Sequence, residues 1–331
     1  MNLNKRISLL AKLGDYLRED DLFFKEIRER AYQNNKWFTL DFSRHACSSV
    51  ANHLLNSEVL LGTSEIYNLP DNQTNPKTIG LVMAGNIPLV GIHDLICVFL
   101  SGHHQFIKLS SKDSILMQHI IDKMIEWEPD TANFIKKGEL LKGCDAYIAT
   151  GSDNSSRYFE AYFSRYPHII RKNRTSIAIL NGDENDEDLV KLADDVHIYF
   201  GLGCRNVTQI YVPDGYNFEA LLHHFRRYDY FRDHDKYRNN FDYQLTIAIM
   251  NNRYYMSNES IVLLEDKNPF SPISQLHYQF YTNRDEILGK IDMNQIQCIV
   301  GQDFIPFGKV QNPGFLDFPD GIDTMNFLNG L

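Results

Sequence analysis

The chain has 331 residues, 43% of them apolar and 23% charged, a balance that fits a packed globular protein and excludes a disordered or fibrous one. Its length is large for one core and predicts two domains with a ligand cleft between them. A net charge of -10 with no clustered basic surface excludes a nucleic-acid partner.

Residues 1 to about 65 place apolar side chains at helical spacing, as in Leu9, Leu10, Leu13 and Leu17 and again in Val50, Leu54 and Leu55, and predict a helical N-terminal region. The opening MNLNKRISLLAKLGDYLRED is broken by Lys12 and reads as an amphipathic helix, not as a signal peptide. The most apolar stretch, Ile87 to Leu100, is too short to span a bilayer and contains His93 and Asp94. No membrane span and a cytoplasmic location are therefore expected.

From Thr78 onward, short β-rich runs alternate with helix-length segments: IGLVMAG, Pro88 to Ser101, FIKLS, Ser114 to Trp127, then DAYIATG. That alternation predicts βαβ units and a parallel sheet. It continues through SIAIL at 176 to 180, an acidic helix from about Glu184 to Tyr199, and the strand TQIYV at 208 to 212. A second α/β region follows, with helical stretches between 216 and 250 and strands at 261 to 264, 275 to 281 and 296 to 300. The aromatic residues between 225 and 281 either form the core of that region or line a pocket. The tail GFLDFPDGIDTMNFL is too apolar for a free end and is expected to pack on the body or on a second subunit.

Five cysteines, at 47, 97, 144, 204 and 298, show no CxxC and no histidines at metal-ligand intervals, so reduced thiols and no metal are expected. Cys204 stands apart. In Gly201-Leu-Gly-Cys204-Arg-Asn206 two glycines precede it between a helix and a strand, which lets backbone approach a ligand closely. A thiol there is a candidate nucleophile, and Arg205 beside it would favour the thiolate; the alternative is a packed loop cysteine.

Asn86, in Ala84-Gly-Asn-Ile-Pro88, follows the first strand and is either a helix N-cap or an amide aimed at a ligand. Lys108, Ser110, Ser111 and Lys112 close the second strand with two cations and two hydroxyls, suited to phosphate or ribose, or else form an ordinary solvated turn. Gly151-Ser152 ends the third strand before a helix whose N-terminus could receive a pyrophosphate. GxGxxG, Walker A, HEXXH and GxSxG are all missing.

Taken in chain order, AGNIPL, IKLSSKD, ATGS, SIAILNGDENDEDL and GLGC before a strand resemble the aldehyde dehydrogenase superfamily. Within it, together with DFPDGIDTMNFL and IQCIVGQDF, the chain is most similar to the acyl-CoA reductase family, whose best-known members are the fatty acyl reductases that supply aldehyde to bacterial luciferase. The resemblance covers residues 75 to 331 and implies an α/β fold of two domains with parallel sheets. It divides the chain into 1–200, the helical region plus a Rossmann-like cofactor domain, and 201–331, a catalytic domain with the nucleophile loop.

It further implies that Cys204 is the acylated nucleophile and Asn86 part of an oxyanion hole, that Lys108 meets the adenosine ribose, and that Gly151-Ser152 lies near the pyrophosphate. Ser111, followed by Lys112, stands where NAD-using relatives often hold a ribose-reading glutamate, which favours the 2′-phosphate of NADPH over NADH. Arg171 stands where the superfamily's general-base glutamate is expected, and Ser156 where many relatives keep a glycine. The implied activity is NADPH-dependent reduction of a long-chain acyl-CoA to the aldehyde. The alternatives are a CoA-acylating aldehyde dehydrogenase using NAD on short aldehydes, and an acyl-binding subunit active only with a partner. A homo-oligomer and an acyl-supplying enzyme or carrier protein are expected companions.

Overall fold

A computed structural model describes the chain at residues 1–19, 21–151 and 153–331. It forms two compact units, Met1–Asn173 with Asn312–Leu331, and Arg174–Gln311. The division therefore falls between 173 and 174, where 200/201 was expected, because the SIAIL strand hydrogen-bonds into the second unit's sheet. The tail belongs to the first unit.

The first unit opens with four helices, α1 (Leu3–Glu19), α2 (Leu22–Asn34), α3 (Leu40–His53) and α4 (Ser57–Ile66). Leu9, Leu10, Leu13, Leu17, Val50, Leu54 and Leu55, the positions picked out by helical spacing, are all buried in one core. Then come β1 (Thr78–Val82), α5 (Ile92–Ser101), β2 (His104–Lys108), α6 (Ser114–Trp127), α7 (Thr131–Phe134), β3 (Ile135–Lys137), β4 (Ala146–Thr150), α8 (Asp153–Phe163) and β5 (His168–Arg171). The five strands are all parallel, in the order β3-β2-β1-β4-β5.

Every residue of α5 is buried, which explains its near-continuous apolar sequence. The helix starts at Ile92 rather than at Pro88. Leu89 has φ 59°, which a right-handed helix cannot include, and its N–H is held by the Asp113 carboxyl at 2.7 Å.

The second unit contains β6 (Thr175–Ile179), α9 (Asp186–His197), β7 (Val207–Pro213), α10 (Glu219–Phe225), α11 (Asp235–Met250), β8 (Tyr255–Ser257), β9 (Val262–Glu265), β10 (Gln275–Tyr281), α12 (Asp285–Lys290) and β11 (Ile296–Val300). Its sheet runs β11-β6-β7-β10-β9-β8. All pairings are parallel except β8 on β9, so the expectation of a wholly parallel sheet fails at this edge, where a short connection reverses the chain.

Helix α9 begins with a capping box between Asn185 and Asp188 and carries three acidic residues in its first turn, where the helix dipole favours them. Among the aromatic residues between 225 and 281, Phe225, Tyr228, Phe231, Tyr237 and Tyr278 are core, whereas Tyr230, Tyr243, Tyr254 and Phe280 are exposed.

Back in the first unit, α13 (Thr324–Asn329) closes the chain and packs on α5. Phe315, Met325 and Leu328 are buried in the core, and the tail's carbonyls bond two histidines: His93 Nε2 to Phe315 O at 2.9 Å and His103 Nε2 to Leu328 O at 3.1 Å. The apolar tail thus packs on the body.

Candidate active site

The cysteine loop of the second unit is built against the end of α9. The helix stops at His197, two residues before the expected Tyr199, because Tyr199 and Phe200 (each φ 57°, ψ 26°) and then Gly201 (φ 74°) are left-handed. Two consecutive non-glycine residues in that region cost about 1–3 kcal/mol each. Packing offsets part of this, since Phe200 lies 4.5 Å from Phe231 and 5.5 Å from Tyr237, ring centre to ring centre.

The next residues are pinned by side chains. Asn206, fully buried, accepts the Gly203 N–H on Oδ1 at 2.8 Å. Its Nδ2 donates to the carbonyls of Ile198 at 2.7 Å, Asp195 at 3.1 Å and Val196 at 3.3 Å, groups that a helix end leaves without intrahelical partners. Ser176 Oγ, from β6, donates to the Cys204 carbonyl at 3.0 Å. Cys204 itself is half-buried, and the other four cysteines are buried. Arg205, expected to act on Cys204, has Nη1 3.2 Å from Cys298 Sγ.

Two titrating groups sit under this loop. Burial pushes the Asp195 carboxyl up to about 7, although the Gly308 N–H at 2.7 Å opposes the shift. Burial lowers the His197 imidazole to about 4; its ring stacks on Tyr228 at 4.5 Å and Nδ1 meets Ala193 O at 2.9 Å. Val196, Phe200, Gly201, Tyr237 and Ile261 help to line a small recess, and Cys204 is not part of that lining.

In the first unit, the strand order reverses at β1, with β2 on one side and β4 on the other. Open α/β sheets bind ligands at the carboxyl ends beside such a reversal. Asn86 lies in the loop after β1, Lys108, Ser110, Ser111 and Lys112 at the end of β2 and beyond, and Gly151 after β4, so the fold gathers these six at one end of one sheet. Ser152 lies outside the described residues.

The helix-cap alternative for Asn86 is excluded, because the N-cap of α5 is Gly91 and Asn86 is exposed in the preceding loop. Gly85 lets that loop close on the next one: a Cβ there would stand 2.7 Å from Ser110 Cβ. Asp113 completes the link through Leu89, and burial raises its carboxyl well above the usual range. Lys108 Nζ is 3.7 Å from the exposed Glu139, and Ser111 and Lys112 are exposed.

Arg171 is buried at the end of β5, paired with Asp94 and donating to Thr324 Oγ1 at 2.8 Å. It ties β5 to α5 and α13. Ser156 is buried in α8. Ser176, Asp113 and Glu139 carry no sequence pattern that singles them out, and Asn206 is marked only by its place in the Gly201–Asn206 segment.

No family model and no curated protein matches the sequence. Solved structures do. A Mycobacterium tuberculosis aldehyde dehydrogenase complexed with NAD+ covers 87% of this chain over 70% of its own, at 13% identity and a TM-score of 0.62. An E. coli NADP-dependent enzyme covers 91% over 73%, at 10% identity and 0.68. Aldehyde dehydrogenase 21 from Physcomitrella patens, in complex with the reaction product succinate, covers 92% over 74%, at 12% identity and 0.68. The chain has the aldehyde dehydrogenase fold.

Proposed function

We propose that this chain reduces a long-chain acyl-CoA to the aldehyde with NADPH, through an acyl thioester on Cys204. One observation carries the reading. In a fold shared with aldehyde dehydrogenases, the position where the family resemblance places a water-activating glutamate is Arg171, and its guanidinium is buried against Asp94. A thioester with no base to activate water survives hydrolysis and waits for reduction.

The donor set in the first unit fits a nicotinamide dinucleotide. Lys108 and Glu139 suit ribose hydroxyls, Ser111 and Lys112 are exposed and suit a 2′-phosphate, and Gly151 follows β4 at the same sheet end, before a helix that could receive a pyrophosphate. When bound, the cofactor supplies the hydride. In this reading the Cys204 thiolate attacks the acyl carbonyl, a carbon–sulfur bond forms to the protein, and the CoA thiolate leaves. The Cys204 backbone N–H donates to the oxyanion at each tetrahedral stage. Neither Arg171 nor His197 moves a proton in it.

One observation favours the NAD-linked, CoA-acylating alternative: Glu139 beside Lys108 offers a carboxylate that would accept a hydrogen bond from a free 2′-hydroxyl. The deciding experiment follows NADPH and NADH consumption by the purified protein with hexadecanoyl-CoA and with acetyl-CoA, beside Cys204→Ala, with aldehyde identified by mass spectrometry. Hexadecanal formed with NADPH, and none from the variant, is the expected result. Turnover confined to NADH and acetyl-CoA would replace the reading with its alternative, and activity surviving in Cys204→Ala would remove both.

A further inference from the structure

We infer that Asn206 and Ser176 are positioning residues that fix the reactive geometry of Cys204, an inference that rests on Cys204 being the acylated nucleophile. The two side chains bracket the cysteine. Asn206 Oδ1 takes the N–H of Gly203, just before it, and Ser176 Oγ donates to its own carbonyl, just after. Both anchors are fully buried and stand on rigid elements: Ser176 is in β6, and Asn206 directly precedes β7.

The chemistry of the asparagine is specific to this task. Its NH2 group faces three carbonyls at the end of α9, while its oxygen faces an N–H. Aspartate would turn an anion toward those carbonyls, and a hydrocarbon would leave both sets unpaired. One amide therefore joins the end of α9 to the turn that carries the cysteine, and does so where Tyr199 and Phe200 hold unfavourable backbone angles. Without the pins, the turn has other conformations to adopt.

A pinned backbone fixes two things at once: the direction of Cys204 Sγ and the aim of the Cys204 N–H at the developing oxyanion. Acyl transfer depends on both, whereas simple alkylation of a thiol depends on its basicity and exposure. That difference supplies a readout that a merely structural role would not produce.

The experiment uses the full chain without nicotinamide. With p-nitrophenyl octanoate, the Cys204 thiolate attacks the ester carbonyl, an acyl–sulfur bond forms, and p-nitrophenolate leaves and is read as a burst. Iodoacetamide alkylation of Cys204, followed by mass spectrometry across pH, is measured in parallel. Asn206→Ser and Ser176→Ala should each slow the burst by about tenfold or more while alkylation stays within about twofold and keeps its pH midpoint.

An unchanged burst in folded variants overturns the inference, and so does a parallel fall of burst and alkylation, which would mean altered exposure or basicity. Should Asn206→Ser fail to fold, Ser176→Ala, which removes a single hydrogen bond, decides alone. A burst that persists in Cys204→Ala would sink the nucleophile itself, a result distinct from loss of the pins.

Discussion

The two units build their candidate sites by different means. In the first, topology does most of the work: parallel strands reversing order at β1 bring the loops that hold Asn86, Lys108–Lys112 and Gly151 to one sheet end, and Gly85 and Asp113 only close the remaining gap. In the second, Cys204 lies at the amino end of β7, where an open sheet offers no ready ligand site. Its turn is held by individual side chains instead, Asn206, Ser176 and the aromatic ring of Phe200. A site made by topology tolerates substitution of its exposed residues without loss of shape, whereas a pinned site is sensitive to each pin.

The largest effect expected concerns the first unit's integrity. Arg171→Met leaves the Asp94 carboxylate buried without its cation and should cost about 3–5 kcal/mol. Both tryptophans, Trp37 and Trp127, lie in this unit, so their fluorescence in a urea titration reports it. Hydrogen exchange should rise in β5, α5 and α13 and stay unchanged in peptides from 174–311. Equal loss of protection in both units would break the comparison, since the units would then unfold as one.

Next in size is Asn86→Ala. At the position that the family resemblance assigns to an oxyanion donor, this change should lower the rate of the proposed reaction by on the order of a hundredfold. A kcat for acyl-CoA reduction within about twofold of the parent, with unchanged fluorescence unfolding, would reduce Asn86 to a bystander in a well-shaped loop.

Much of the comparison was legible in sequence because it rests on periodicity. The apolar spacing of α1 and α3, the alternation of β-runs and helices, and the placement of Asn86 and Lys108 at strand ends all follow from local pattern. What sequence missed depends on contacts between distant residues. The start of α5 is set by Asp113 reaching Leu89, the end of α9 by left-handed Tyr199 and Phe200 with Asn206 below them, and the role of Arg171 by Asp94, far earlier in the chain. The break at 173/174 has the same cause, since SIAIL is locally one more β-run and only its pairing with β7 and β11 assigns it to the second unit. The reversal of β8 left no local trace.

The smallest effect separates the pinned unit by its pH response. Asp195, raised to about 7, keeps its proton in the folded chain between about pH 4 and 7 while the unfolded chain releases it, so stability falls as pH rises. His197, lowered to about 4, stays neutral in the folded chain between about pH 4 and 6.5 while the unfolded chain takes up a proton, so stability rises with pH. Each slope is about 1.4 kcal/mol per pH unit at most, and in the shared window they oppose and largely cancel. Asp195→Asn removes one of them and should leave the second unit more stable at pH 6.5 than at pH 4.5 relative to the parent, read from hydrogen exchange in peptides 175–311 across urea. The first unit contains neither group, and its tryptophan unfolding curve should shift identically with pH in parent and variant. A variant whose second unit kept the parent's pH profile would show that the Asp195 carboxyl titrates alike in the folded and unfolded chain, and that burial under the cysteine turn leaves it within reach of water.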